Sequence, residues 1–136
     1  MDMHNFAKTA QTAFNARDIK TLATQWADDL EYLGPDGTPV TGKEHSIARE
    51  EAIWAGVPDI KVSLACFAAD GDRAVMQGTM SGTHTGTFST ADGTFPPTGH
   101  KVVVEFVALF DFENGLAKKE RVYYDRASLA AQLTGD

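Results

Sequence analysis

The sequence predicts an α+β domain in which a curved, largely antiparallel sheet packs against N-terminal helices and encloses one apolar pocket. Three observations carry this expectation. Apolar residues recur at helical spacing as far as Trp54 and at a period of two from Asp59 onward. The most legible alternating run places Gly78, Gly82 and Gly86 on one face, so that strand coils and bends as a sheet wrapped around a cavity must. The 136 residues make one domain, 1–136, with enough chain for a core and a single site.

The elements follow in order. Phe6, Ala10, Ala13 and Phe14 form a helical stripe behind an Asn5 cap, and Ile19, Leu22, Ala23 and Trp26 form a second behind Asp18. A brief extended piece around Leu30–Leu33 ends at the turn Gly34-Pro-Asp-Gly37, and Thr41-Gly-Lys-Glu44 has capping-box spacing. That box starts a third helix carrying Ile47, Ala52 and Trp54, stopped by Gly56 and Pro58. Ile60, Val62, Leu64, Cys66 and Ala68 then share one strand face, and Asp70-Gly-Asp72 turns the chain back.

In the next strand Ala74, Met76, Gly78, Met80 and Gly82 alternate with Val75, Gln77, Thr79, Ser81 and Thr83, and His84 continues the apolar face. Ser89 to Gly99, with its glycines and prolines, reads as a loop at a pocket mouth. Val102 to Phe112 is apolar on both faces apart from Glu105 and Asp111, which calls for a cover on each side and makes a homo-oligomer, a dimer or higher, the expected partner on the outer one. Asn114-Gly115 turns into Leu116 to Tyr124, and Ser128 to Leu133 closes the chain as a short helix.

Composition removes several classes of function. Against 19 acidic residues stand 12 basic ones, a formal net charge of -7, so nucleic acid and anionic membrane surfaces are not expected partners. The single Cys66 has no internal partner and suits a reducing compartment. Met1-Asp-Met-His-Asn lacks the basic and apolar blocks of a signal peptide, and the expected location is cytoplasmic. The four histidines and one cysteine show no metal-ligand spacing, no serine sits in a nucleophile elbow, and no phosphate loop is present. Metal, covalent-serine and nucleotide chemistry are therefore not expected.

Three blocks, Gly82-Thr-His-Thr-Gly-Thr-Phe, Pro96-Pro-Thr-Gly-His-Lys-Val and Val122-Tyr-Tyr-Asp-Arg-Ala-Ser-Leu, occur in an order and spacing that resemble the SnoaL-like polyketide (ester) cyclases. Val57-Pro-Asp-Ile and Asp70-Gly-Asp-Arg add weaker matches, so the resemblance spans roughly Val57 to Leu133. It implies the cone-shaped α+β fold of nuclear transport factor two-like proteins and an intramolecular aldol closure of a polyketide ester with no metal or organic cofactor. It also implies that Asp125, in the Tyr-Tyr-Asp block, takes the acid/base role. The family's upstream His-Trp pair is replaced here by Arg121-Val122.

Proton removal between two carbonyls needs a base with a raised pKa and a donor for the enolate oxygen. Asp125 and His84 are the candidate catalytic residues, His84 as the donor. Asp125 also precedes a helix, where aspartate is a favoured N-cap worth about 1 kcal/mol. Trp54, Tyr32, Phe106, Glu105 and His100 are the candidate substrate-binding residues, for an apolar or polyketide-like small molecule. A two-residue Asn114-Gly115 turn puts Glu105 on the face opposite Asp125 and a three-residue turn puts the two together, so the hairpin register stays open. Two further readings stand beside the cyclase: a ketosteroid-isomerase-like isomerase, and a non-catalytic binding or dimerisation module of the same fold.

Overall fold

The computed structural model describes residues 1–135. The chain runs α1 (Met3–Asn15), α2 (Ile19–Ala23), β1 (Trp26–Leu33), β2 (Pro39–Thr41), α3 (Lys43–Gly56), β3 (Lys61–Asp70), β4 (Arg73–Thr83), β5 (Phe88–Thr90), β6 (Gly93–Phe95), β7 (Lys101–Glu113), β8 (Leu116–Tyr123) and α4 (Arg126–Thr134). Six strands form one curled sheet in the order β2-β1-β8-β7-β4-β3, and β5 and β6 make a separate hairpin. The β1–β8 pairing is parallel and the other pairings in the large sheet are antiparallel. The sheet is thus mixed, as an α+β cone requires.

Parity decides what the sheet buries. Val102, Ala108, Phe110 and Phe112 of β7 and Ala74 and Met76 of β4 point inward, where α1 lays Phe6, Ala7, Ala13 and Phe14 over them. Phe6 meets Phe110 and Phe112 edge-on, with ring centroids 5.3 and 4.9 Å apart. Asn15 locks α1 to β3: its side-chain amide donates to the Val62 carbonyl at 3.0 Å, and its oxygen accepts from the Val62 N–H at 2.8 Å. Gly78 lies directly across from Phe106, and a Cβ there would fall 2.5 Å from the ring. Its bare backbone is what lets that ring lie over the strand.

Several boundaries differ from expectation for identifiable reasons. The first helix is capped by Asp2, whose carboxylate accepts from the Asn5 N–H, rather than by Asn5. The second helix ends at Ala23, because the Gln25 carbonyl accepts from the Ala117 N–H and brings Trp26 into the sheet. Gly42, not Thr41, is the N-cap of α3 and offers no side chain to it. Strand β4 stops at Thr83, whose N–H is taken by the Asp59 carboxylate at 2.6 Å. Beyond it Gly86 runs so close to the end of α3 that a Cβ would sit 2.0 Å from the Ala55 carbonyl oxygen. The expected Ser89–Gly99 loop contains most of the β5–β6 hairpin.

The hairpin between β7 and β8 has the two-residue Asn114-Gly115 turn, both residues at positive φ, with Glu113 across from Leu116. A bulge follows at once. Phe112 pairs with Ala117 but Asp111 pairs with Lys119, so Lys118 is the extra residue and the register moves by one. From there on Phe110 faces Glu120 and Ala108 faces Val122. Beyond Val107 the edge of β7 is free of β8, and α4 covers it: the Gln132 side-chain amide both donates to and accepts from the Val103 backbone, at 3.0 and 2.6 Å.

Candidate functional site

A cavity of about 80 Å³ remains inside the cone, between α1, α3 and the sheet, walled by Phe6, Phe14, Trp26, Met80, Phe106 and Phe110. Three polar side chains enter it: Gln25 from the link before β1, Glu50 from α3 and Glu120 from β8. Each arrives by a local rule. Glu50 lies on the α3 stripe of Ser46, Glu50 and Trp54, spaced one helical turn apart. Glu120 is turned inward by the Lys118 bulge; without the extra residue it would pair with Leu109, which stands on the outer face. Gln25 is oriented by its own amide, whose Nε2 donates to the Phe6 carbonyl at 3.1 Å.

Arg49 ties the two carboxylates together. The same guanidinium nitrogen lies 3.7 Å from Glu50 Oε1 and 3.9 Å from Glu120 Oε1, and each glutamate side chain is 13% exposed. The guanidinium carbon stacks 3.4 Å from the centre of the Tyr32 ring, which β1 sets beside Glu120 in the parallel register. Two anions against one cation leave a net negative charge in apolar surroundings. Burial, reinforced by Glu120 and opposed by Arg49, pushes the Glu50 carboxyl up to about 7. Burial raises the Glu120 carboxyl and the Tyr32 phenol as well.

Among the described residues, four buried side-chain polar atoms have no partner in the protein, and two of them, on Gln25 and Glu50, belong to the cavity lining. Glu50 Oε2, Gln25 Oε1, Ser46 Oγ and Trp54 Nε1 are buried without a hydrogen-bond partner. Three of the four belong to the one α3 stripe. Each such group costs on the order of 1–3 kcal/mol, a cost that sites of binding or catalysis carry more often than structural cores do.

The residues singled out from sequence fall into two groups. Phe106 lines the cavity, Tyr32 carries the Arg49 stack, and Trp54 tilts against Phe14 with ring centroids 5.4 Å apart. The others lie elsewhere. Asp125 is exposed, and its Oδ1 accepts from the Ser128 N–H at 2.9 Å as the N-cap of α4. Glu105 stands on the outer face, across from Thr79. His100 is exposed at the start of β7, beside the end of α4.

His84 is fully buried with both ring nitrogens engaged. Nε2 lies 3.2 Å from the Phe95 carbonyl and Nδ1 lies 3.0 Å from Thr98 Oγ1. A carbonyl only accepts, so Nε2 carries a proton toward Phe95, and Nδ1 and the Thr98 hydroxyl share the second bond. The His84 carbonyl also accepts from Thr98 and Gly99. It pins the loop between β6 and β7, and it does not line the cavity that holds Glu50 and Glu120.

Glu50, Glu120, Arg49 and Gln25 went unread in the sequence for physical reasons. Charged residues on a helix or a strand ordinarily read as solvated. The one signal available was Glu50 at four residues from both Ser46 and Trp54, on a stripe that continues toward the core.

Comparisons with known proteins agree with this architecture. The family model for SnoaL-like polyketide cyclases matches residues 4–133. No curated protein matches the chain. Among solved structures, one described as a SnoaL-like polyketide cyclase from Jannaschia sp. CCS1 is similar with a TM-score of 0.83 at 19% identity, over 97% of this chain and 91% of that one. AclR from Streptomyces galilaeus, described as a hydroxylase, is similar with a TM-score of 0.81 at 20% identity, over 97% and 80%. An NTF2-like protein of unknown function from Burkholderia pseudomallei K96243 gives 0.77 at 22% identity, over 98% and 99%. At these identities the structural likeness speaks for the fold, and the family model for the lineage: the chain belongs to the SnoaL-like polyketide cyclase family.

Proposed function

We propose that this chain is a cofactor-independent acid/base enzyme acting on a small carbonyl compound inside the cone, by intramolecular aldol closure or a related isomerisation, with Glu50 as the base. The observation that carries this reading is the Glu50 carboxyl itself. It lines an apolar cavity, leaves Oε2 without a protein partner, and is pushed up to about 7. A base at that level accepts a carbon-bound proton near neutral pH, which as general base catalysis contributes roughly 10²–10⁴ in rate. Glu120, also raised, supplies a second carboxyl able to hold or return a proton, and Arg49 limits the charge of the pair.

The test needs no knowledge of the natural substrate. Acetone, small enough for the cavity, is incubated with the chain in D₂O, and deuterium entry next to the carbonyl is followed by NMR. The expected result is enzyme-dependent exchange that vanishes in Glu50→Gln and persists in Asp125→Asn. Loss in Asp125→Asn with retention in Glu50→Gln would return the role to Asp125.

A second reading, a binding module without turnover, is favoured by one specific observation: Asp125 and His84 are both engaged in structural hydrogen bonds. It requires ligand-dependent thermal stabilisation with no exchange activity.

We further propose a homodimer through the outer sheet face. Val103 and Val107 are 44% and 37% exposed there, and Val75, Leu109 and Tyr123 stand on the same side of the sheet. Leu109→Lys is expected to halve the mass seen by sedimentation equilibrium. An unchanged mass would remove this face from the assembly.

A further inference from the structure

The polar atoms of the cavity are biased toward accepting. Gln25 Nε2 is committed to the Phe6 carbonyl, which fixes the amide and leaves Oε1 unpaired. Glu50 Oε2 is unpaired as well, and Glu120 approaches Arg49 only at ion-pair distance. These three acceptors come from three different parts of the chain and line one cavity; the indole of Trp26 is the other polar-bearing side chain in its wall. A carbonyl oxygen finds a donor here when Glu50 holds its proton, whereas the ionised lining is biased toward acceptors. What complements it is a donor.

Charge leads to the same class of ligand. With both carboxylates ionised, the cluster of Glu50, Glu120 and Arg49 carries one uncompensated negative charge. It can be neutralised by a proton or by a cation entering the cavity. The rings of Phe6, Phe14, Trp26, Phe106 and Phe110 present π-faces and hydrocarbon that suit an alkylammonium better than a hydrated metal ion. The volume of about 80 Å³ has room for roughly five water-sized groups, which limits the ligand to a few heavy atoms.

We infer that the interior cavity binds a small organic cation with N–H donors, of the alkylammonium class, through Glu50, Glu120 and Gln25 within an aromatic wall. The groups facing Glu50 are Arg49 on its own helix, Glu120 on β8 and Tyr32 on β1, while α1, β3 and β7 present only apolar side chains to the cavity. Cation and proton then compete for the same charge deficit. Because Glu50 titrates at about 7, binding strengthens as pH rises through that value.

This inference shares its cavity with the acid/base reading and not its chemistry. Calorimetry of the full chain with isopropylammonium chloride, and with 2-propanol as the neutral isostere, decides it. The expected result is saturable one-to-one binding of the cation about tenfold tighter at pH 8 than at pH 6, as competition with a single proton at about 7 requires. Proton release in the lower range, seen as a dependence of the heat on the buffer, is expected with it, and so is loss of binding in Glu120→Gln. Equal affinity for 2-propanol, or an affinity independent of pH in the wild-type chain, overturns the inference without relying on any variant. A chain that binds the cation but exchanges no ketone protons would sink the catalytic reading and leave this one standing.

Discussion

Glu50 and Glu120 reach the same Arg49 guanidinium nitrogen, at 3.7 and 3.9 Å, one from a helix and one from a strand. Neither distance is a hydrogen bond, so the arginine compensates charge without consuming the oxygens that face the cavity. The arrangement keeps two carboxyls buried, both raised above the ordinary carboxylate value by desolvation.

Replacing Glu50 tests the energetic side of that arrangement. Its carboxyl titrates at about 7 when folded against an ordinary 4.5, so between those values the folded chain holds more protons than the unfolded one. Stability therefore falls as pH rises through that window, by on the order of 3 kcal/mol at most. Glu50→Gln is expected to flatten the loss and to melt higher than wild type at pH 8 while matching it near pH 4. Parallel pH profiles of Tm would show that the carboxyl is not held as described.

Arg49 carries the opposite expectation. Arg49→Met removes the compensating charge from two buried carboxylates, and breaking one side of such a cluster costs about 3–5 kcal/mol at neutral pH. The cost should shrink in acid, where both glutamates are protonated. Chemical denaturation at pH 7.5 and pH 4.5 reads the difference.

Asp125 separates cap from base. Asp125→Asn keeps an oxygen for the Ser128 N–H, and asparagine caps as well as aspartate, so stability should be nearly unchanged. Asp125→Ala should cost about 1 kcal/mol. Urea midpoints for the pair establish the cap, and the exchange assay on the asparagine variant establishes whether anything else depends on the charge.

His84 is expected to report on its loop. His84→Leu leaves Thr98 and the Phe95 carbonyl without their ring partner, at about 1–3 kcal/mol for each group stranded without solvent. Faster amide exchange confined to the Phe95–His100 segment, with the cavity residues unaffected, is the outcome that fits a loop pin. Exchange spreading to α3 would tie the loop to the site.

Much of the fold was legible in the chain because periodicity is a local property. The switch from helical spacing to alternation, the Asn114-Gly115 turn and the glycines at 78, 82 and 86 called for a curled sheet over N-terminal helices. The Ser128–Leu133 run was legible as the closing helix, and the three sequence blocks were legible as a family resemblance. Of the aromatics expected to bind substrate, Phe106 stands in the cavity wall and Tyr32 stacks on Arg49.

The site itself was decided by tertiary structure. One unpaired residue, Lys118, rotates Glu120 from the outer face to the cavity, and a bulge of that kind costs too little to leave a reliable mark in composition. Glu50 is an ordinary helical glutamate until α1 and the sheet close over it, and desolvation then gives it the properties that a sequence does not encode residue by residue. Asp125 stood out in the chain through the family resemblance and His84 through strand parity, both of which are read from short runs of sequence. Charge burial depends on what the rest of the chain brings to the same place, and only the folded arrangement of α3, β1 and β8 makes an anion pair out of residues seventy positions apart.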